Sequence, residues 1–560
     1  MRNFKILRPI KKKGKIKPFA VVDTETWGLG GSLAFGCVYI SDKDFFYFKT
    51  KEEFYKGLRA RKIKLVYAHN LDFDATKIRD KSSLEDTKGS LYAGGLLLTF
   101  RDEYGITWRD SYALLKSKVS DLGKEIGFKK LETPKKFIEP RESNKYISSK
   151  DQRYCKRDCK IVKLYLDLLF ETIGTQKLTI ASSCMHLFRS KFLKENLLIR
   201  SQHKEFKASY YGGRVECFKL GKVDANVYDI NSQYPYNMLK TDIPDPSRLK
   251  TVYPDLKTFD FLLKNFEGCA EVKVFHPVQK IGMLPYRINS KLCFPSGKFQ
   301  GTWNFNELRF AINNGLKILE VSKVTYSDKT INIFKNYVEE YYKLKSESSG
   351  AMRLFYKFFL NTLYGKFGEN SHSERVYVKE RDLFSQVKKL SDKKTNFVIH
   401  ELKRGYYYID IKADLEKEPI HTIFPICSYI TSAARIQLLK LLLDNEEGLI
   451  YCDTDSIATE KEFKGKISKN LGDCLPESYK IKRVIGNKTY KTDEGFKAKG
   501  IPKGAVLEGR LFKYEHLIKS KESLRRGLKA GSTEERFKTI SFEYDKRVKK
   551  RNGETKILEL

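Results

Sequence analysis

The 560-residue sequence contains no apolar run approaching the ~18 residues needed to span a bilayer, and no basic amphipathic stretch of the kind that lies on a membrane surface. A membrane span is therefore not expected. The N-terminus lacks the succession of charged, apolar and cleavage segments that directs secretion, and Met1 to Lys17 reads instead as a short basic arm. The ten cysteines are scattered, and Cys155 with Cys159 has neither a second pair nor a nearby histidine set to complete a zinc site. Reduced thiols in a cytosol-like compartment follow as the expectation. No internal repeat or low-complexity tract is present. Acidic residues are the minority sign, 70 Asp and Glu against 107 Lys and Arg, a formal net charge of +37.

Such an excess attracts polyanions, and nucleic acid is the first candidate. The length exceeds what one hydrophobic core organises, so two or more domains are expected. Most of the aromatic residues, 13% of the chain, belong to cores, and some are available to stack on bases.

Tyr451-Cys452-Asp453-Thr454-Asp455-Ser456 follows the apolar pair Leu449-Ile450. On an extended segment Asp453 and Asp455 share one face, and paired carboxylates persist where a divalent cation lies between them. Taken alone, the hexapeptide reads equally as a polar hairpin tip. A second acidic pair, Asp23 and Glu25, ends the apolar strand Phe19 to Val22. A further apolar run, Leu65 to Ala68, leads into His69-Asn70-Leu71-Asp72-Phe73-Asp74, and Tyr154 and Asp158 lie four apart on a predicted helix. Asp23, Glu25, Asp74 and Asp158 together have the composition of a two-metal phosphodiester hydrolase, with Tyr154 placed to orient water.

These three segments resemble the DEDDy-type 3′-5′ exonuclease domain of proofreading DNA polymerases. The resemblance makes the four carboxylates metal ligands, gives Asn70 a contact with the single-stranded 3′ end, and places Thr26 and Phe73 along that strand. Further on, Tyr210-Tyr211-Gly212-Gly213 offers paired glycines for positive φ and close backbone approach. It resembles the YxGG loop between exonuclease and polymerase modules, with Tyr210, Gly212 and Gly213 at the DNA. Asp229-Ile230-Asn231-Ser232-Gln233-Tyr234-Pro235 resembles motif A of family B polymerases, with Gln233 in place of the usual Leu. Lys357, Asn361, Thr362, Tyr364 and Gly365 resemble motif B, and helical spacing sets Lys357, Asn361 and Tyr364 along one side. Tyr451 to Ser456 then corresponds to motif C.

The resemblance implies that Asp229 and Asp455 are the principal metal ligands, with Asp453 in support. It also implies that Tyr234, Lys357, Asn361 and Tyr364 hold the incoming nucleotide, while Thr362 and Gly365 face DNA. Lys488 and Tyr490 resemble the K-x-Y motif at the primer terminus, with Lys497 and Lys499 along the same backbone. The long intervals between motifs A and B and between B and C match the two insertions of protein-primed family B polymerases.

The implied architecture is a multidomain α/β and α+β chain. An RNase H-like exonuclease domain (1–180) and a linker region with the YxGG loop (181–225) precede a right-hand polymerase domain (226–560). The latter divides into palm, first insertion (about 240–335), fingers (about 336–370), second insertion (about 371–420), palm with motif C, and thumb (about 505–560). The expected cofactors are two Mg²⁺ or Mn²⁺ ions per active site. The expected partners are template and primer DNA, dNTPs and a separate terminal protein, and the chain is expected to be monomeric. A family B enzyme using nucleic-acid primers or none, and an inactive basic nucleic-acid-binding protein, are the competing readings.

Overall fold

Two seven-stranded sheets organise the chain. The computed structural model describes all residues except 1–3, 12–13, 29, 94, 140, 142–144, 371–373, 394, 404, 412–417, 503, 510 and 540–545. The first sheet has the strand order Asp44–Phe48, Leu33–Ser41, Ala20–Thr26, Leu65–Ala68, Thr107–Asp110, Leu96–Arg101 and Lys88–Ala93. Its three central strands are parallel, and its flanks are antiparallel. Central parallel strands are covered on both faces, which accounts for the uninterrupted apolar run Phe19 to Val22. Phe19, Val21 and Tyr67 face the helix Ser149–Ile173, whereas Val22, Val66 and Ala68 join Phe54, Leu71 and Trp108 on the opposite face. That helix starts at a capping box between Ser148 and Asp151 and ends at Gly174 in the left-handed conformation.

The second sheet is wholly antiparallel, in the order Val215–Cys217, Leu449–Asp453, Ser456–Thr459, Gly221–Ile230, Cys474–Gly486, Thr489–Thr492 and Phe496–Ala498. Ile230, Cys452 and Ile457 pack on Leu438, Leu439 and Leu442 of the helix Phe424–Asp444, and Ala225, Val227, Tyr451 and Ile481 form the core of the other face. This helix corrects the expectation that no stretch reaches membrane-spanning length. Its 21 residues are long and apolar enough, but 67% of its most apolar window is buried inside the molecule, as befits a core helix.

The interval after motif A folds into a four-stranded antiparallel sheet, Lys250–Val252, Lys317–Ser327, Glu267–His276 and Gly297–Asn304, with helices Leu256–Asn265 and Phe305–Asn313. Helices Lys335–Glu347 and Gly350–Lys366 pack against each other. Their core is continuous with that of the first sheet through Tyr165, Phe188, Tyr337 and Phe355. A three-stranded sheet, Glu374–Lys379, Tyr406–Ile411 and Phe397–Glu401, fills the next interval.

The C-terminal region is not one unit. Strands Val506–Glu508, Leu511–Leu517 and Thr533–Thr539 form a separate sheet, while the segment from Lys546 onward returns to the second large sheet. There Arg547 is buried against Glu216, and Leu560 donates to the Ser296 carbonyl. The span 505–560, expected as one thumb, is thus divided between two places in the fold. Leu84, Leu402, Tyr406 and Leu524 make a small core where the first domain, the three-stranded insertion and the C-terminal sheet meet.

Candidate active sites

Alternation along Ala20–Thr26 turns Asp23 and Glu25 to the face that Val21 presents to the long helix. That helix contributes Tyr154 and Asp158, both buried one turn apart, and helix Leu71–Arg79 contributes buried Asp74. Asp74 is fixed by Thr24, whose backbone N–H and hydroxyl both donate to its Oδ1 at 3.1 and 2.7 Å. Burial pushes the Glu25 carboxyl up to about 8, with Asp158 adding to the rise, and burial pushes Asp74 up to about 7 against the Thr24 hydrogen bonds. Burial, then Glu25, Asp74 and Asp158, holds Asp23 well above the usual carboxylate range. Asp158 is also raised by burial, although the paired Lys130 ammonium opposes the shift. Its Oδ1 is buried without a hydrogen-bond partner. Four crowded carboxylates and one orphaned oxygen fit hard divalent cations.

The Tyr154 hydroxyl is 3.0 Å from that of Thr133, and burial raises it to about 12. Asn70 is exposed just before its helix, and its side chain is not used as a cap. Phe73 is half-buried, with the Lys77 ammonium 5.5 Å from its ring centre. The Thr26 hydroxyl is turned inward and donates to the Gly28 carbonyl at 2.7 Å. Geometry thus gathers Asp23, Glu25, Asp74, Tyr154 and Asp158, but gives the Thr26 hydroxyl an internal partner.

The second constellation lies at the end of the large antiparallel sheet. Asp229 opposes Ser456, and the Ile230 N–H donates to the Asp455 carbonyl at 2.7 Å. Asp453 and Asp455 do not alternate along one strand as expected. Asp453 ends its strand, and Thr454, at φ 63°, starts the tight turn containing Asp455. The hairpin tip and the carboxylate pair are the same object. Asp453 is fully engaged: Lys488 Nζ and the Thr454 hydroxyl donate to Oδ1 at 2.7 and 3.1 Å, and the Tyr451 hydroxyl donates to Oδ2 at 3.2 Å. Burial, then Asp455 and Glu477, pushes Asp229 up to about 7, while Lys357 pulls it down. Burial also raises Asp455.

Tyr234 stacks on Tyr364 with ring centres 4.4 Å apart and planes 12° apart. Lys357, Asn361 and Gly365 are exposed at successive helical turns beside this pair. Thr362 points elsewhere, its hydroxyl donating to Phe358 O at 2.7 Å and lying 3.0 Å from the Cys184 sulfur. The helix's own geometry therefore gives this expected DNA contact an interior partner.

Gly212 and Gly213 do not have the positive φ anticipated. Gly213 serves close approach instead: a Cβ there would lie 2.7 Å from the Thr454 side chain, and the Thr454 N–H donates to Arg214 O at 2.7 Å. Arg435 holds the Tyr211 and Gly212 carbonyls at 2.6 and 3.1 Å, and Arg287 holds that of Tyr210 at 2.8 Å. Lys488 lies in a turn at φ 55° rather than on the strand bearing Tyr490. The Tyr490 ring nevertheless packs 5.5 Å from Tyr451. Lys497 is exposed beside the Tyr479 ring, and the exposed Lys499 donates its N–H to Lys488 O.

Sequence reasoning missed three charged residues. Lys130 lies over the Tyr154 ring at 4.7 Å and pairs with Asp158. Burial lowers its pKa, but Asp158, Asp23 and Tyr154 more than offset this and leave it raised. Glu477 adds a carboxylate near Asp229 and Asp455. Lys345 donates to the Ser232 hydroxyl at 3.0 Å, and its pKa is lowered by burial and by neighbouring Arg353 and Lys357. Isolated basic or acidic residues within charged stretches carry no spacing signal that could have marked them.

The family described as DNA polymerase type B, organellar and viral, matches residues 57–462. A probable DNA polymerase of Podospora anserina is 28% identical over 531 residues, covering 81% of this chain and 42% of that protein. The DNA polymerase of Bacillus phage phi29 is 25% identical over 458 residues, covering 78% of this chain and 74% of the relative. The chain spans less than half the length of three fungal relatives, at 42, 32 and 30%. The structure of phi29 DNA polymerase complexed with primer-template DNA and incoming nucleotide substrates superposes with a TM-score of 0.69 at 16% identity, over 94% of this chain and 100% of that one. The shared fold has an exonuclease unit followed by palm, fingers and thumb.

Proposed function

Because the chain belongs to the organellar and viral type B DNA polymerases, we propose that it extends DNA on a DNA template from dNTPs and degrades single-stranded 3′ ends at a second site. The observation that carries the polymerase reading is the meeting of Asp229 and Asp455 beside the Tyr234–Tyr364 stack and the cations Lys345 and Lys357. When bound, two Mg²⁺ or Mn²⁺ ions at each site supply charge neutralisation for in-line transfer at phosphorus. Asp453 is committed to Lys488, Thr454 and Tyr451, which leaves Asp229 and Asp455 as the principal ligands and makes Asp453 a positioning group. Lys345 and Lys357 face the triphosphate, and the stacked tyrosines form a floor under the sugar that disfavours a 2′-hydroxyl.

At the degradative site Asp23, Glu25, Asp74 and Asp158 hold the ions, Tyr154 orients water and Lys130 balances charge. DNA and dNTPs as substrates are further supported by the phi29 complex with both. Initiation from a terminal protein's hydroxyl and strand displacement complete the proposal, supported by two insertions flanking motif B, each with a sheet of its own. The test is primer extension with Mg²⁺ on a singly primed circle, without accessory proteins. Synthesis beyond one full circle is expected; a stop at the duplex removes intrinsic strand displacement, and no extension removes the polymerase reading. Nucleotide transfer to a candidate terminal protein, absent with free DNA ends alone, distinguishes protein priming.

A further inference from the structure

We propose that Cys155 makes the degradative centre a mixed sulfur and oxygen site that binds thiophilic divalent ions, Zn²⁺ or Cd²⁺; this rests on reading that centre as metal-dependent. Cys155 follows Tyr154 and precedes Asp158 by three residues, so the turn of helix that delivers the aspartate also delivers a sulfur. The thiol is fully buried, and its Sγ lies 3.8 Å from Asp23 Oδ2 and 3.5 Å from Asp23 O. Ligand atoms of Asp23, Glu25 and Cys155 all lie within 4.8 Å of one another, the one such trio of Cys, His, Asp or Glu among the described residues. Oxygen and sulfur bound to one tetrahedral zinc at about 2.1 and 2.3 Å are roughly 3.6 Å apart, so the Asp23–Cys155 pair is already close to that spacing. Asp158, whose Oδ1 is buried without a partner, lies outside this trio, so the ion takes three protein ligands.

Sulfur favours soft ions, whereas the carboxylates alone favour Mg²⁺ or Mn²⁺. As the sulfur–metal bond forms, the thiol proton passes to solvent, and the divalent charge neutralises the crowded carboxylates. A tetrahedral ion held by three protein ligands keeps fewer open positions than octahedral Mg²⁺. Cd²⁺ is therefore expected to suppress degradation in competition with Mg²⁺.

The experiment titrates CdCl₂ into the full chain and into Cys155→Val and Cys155→Ser, following the ultraviolet sulfur-to-cadmium charge-transfer absorption. Thermal unfolding of each variant reports folding, and degradation of a single-stranded 3′ end is measured separately with Mg²⁺ alone. Loss of an outer-sphere partner weakens metal binding about 10- to 100-fold, so removal of a direct ligand is expected to weaken Cd²⁺ at least ~100-fold and abolish its share of the absorption. Identical absorption and affinity in folded wild type and both variants would overturn the proposal, while Mg²⁺-dependent degradation by wild type would leave the nuclease reading standing. Conversely, Cys155-dependent absorption without Mg²⁺-dependent degradation supports the sulfur ligand and removes the nuclease reading.

Discussion

The two acidic constellations solve the same electrostatic problem differently. In the first domain the carboxylates come from one strand and from helices packed on opposite faces of its sheet, and Glu25, Asp74 and Asp158 are buried. A lysine, Lys130, engages a carboxylate of the set directly. On the large antiparallel sheet Asp229 and Asp455 are only half-buried, and the nearby lysine binds Asp453, the neighbour, at 2.7 Å. The difference teaches that one centre is enclosed and pairs one of its carboxylates with a lysine, whereas the other leaves two carboxylates half-exposed, as the proposed synthesis from a duplex end and a triphosphate requires.

The largest effect expected from this comparison is separation of activities. Asp229→Ala or Asp455→Ala should lower synthesis by about 10³-fold or more, since metal-assisted charge stabilisation contributes several kcal/mol, and should spare degradation of single-stranded 3′ ends. Persistent synthesis in a primer-extension assay would overturn the ligand assignment. The reciprocal double change, Asp23→Ala with Glu25→Ala, should remove degradation and leave extension; equal loss of both activities would mean that the centres are not separate.

Lys130→Gln sharpens the contrast in charge balance. Degradation is expected to fall roughly 10²-fold, as for loss of one preorganised electrostatic group, with single-turnover synthesis unchanged. Equal rates of degradation in wild type and variant would assign Lys130 a packing role. A smaller effect, about tenfold on synthesis alone, is expected for Gly213→Ala, because the added Cβ meets Thr454 at 2.7 Å and displaces the turn that carries Asp455.

The smallest effect is thermal. Carboxyls raised to about 7 or 8 by burial, as at Asp74 and Glu25, bind more protons folded than unfolded, so in chelator their contribution to stability falls as pH rises from about 4 through 8. Mg²⁺ should therefore raise the unfolding temperature more at pH 8 than at pH 5.5. Asp23→Ala with Glu25→Ala should remove more of that difference than Asp229→Ala, and calorimetry reads both.

Much of this was legible in the chain itself. Period-two spacing placed Asp23 and Glu25 on one face, four-residue spacing placed Tyr154 and Asp158 on one helix, and both hold because local geometry alone dictates them. Where a turn intervened, local reasoning failed: Thr454 and Lys488 adopt positive φ, so Asp453 with Asp455, and Lys488 with Tyr490, are not strand neighbours facing one way. The internal partner of Thr362, expected at the DNA, was hidden for a different reason, since its hydroxyl bonds back along its own helix and lies against Cys184.

The sequence by itself determined the periodic apolar segments, the acidic clusters and the family to which their order belongs, because these depend on residue type and spacing along the chain. Tertiary structure alone decided which charge meets which. Lys130 reaches Asp158, Glu477 approaches Asp229, Gly213 makes room for Thr454, and Cys155 comes to lie beside Asp23. Those meetings join separate elements through packing, and the physical reason they are unreadable in one dimension is that contact energies fall off over a few ångströms in space, whatever the separation along the chain.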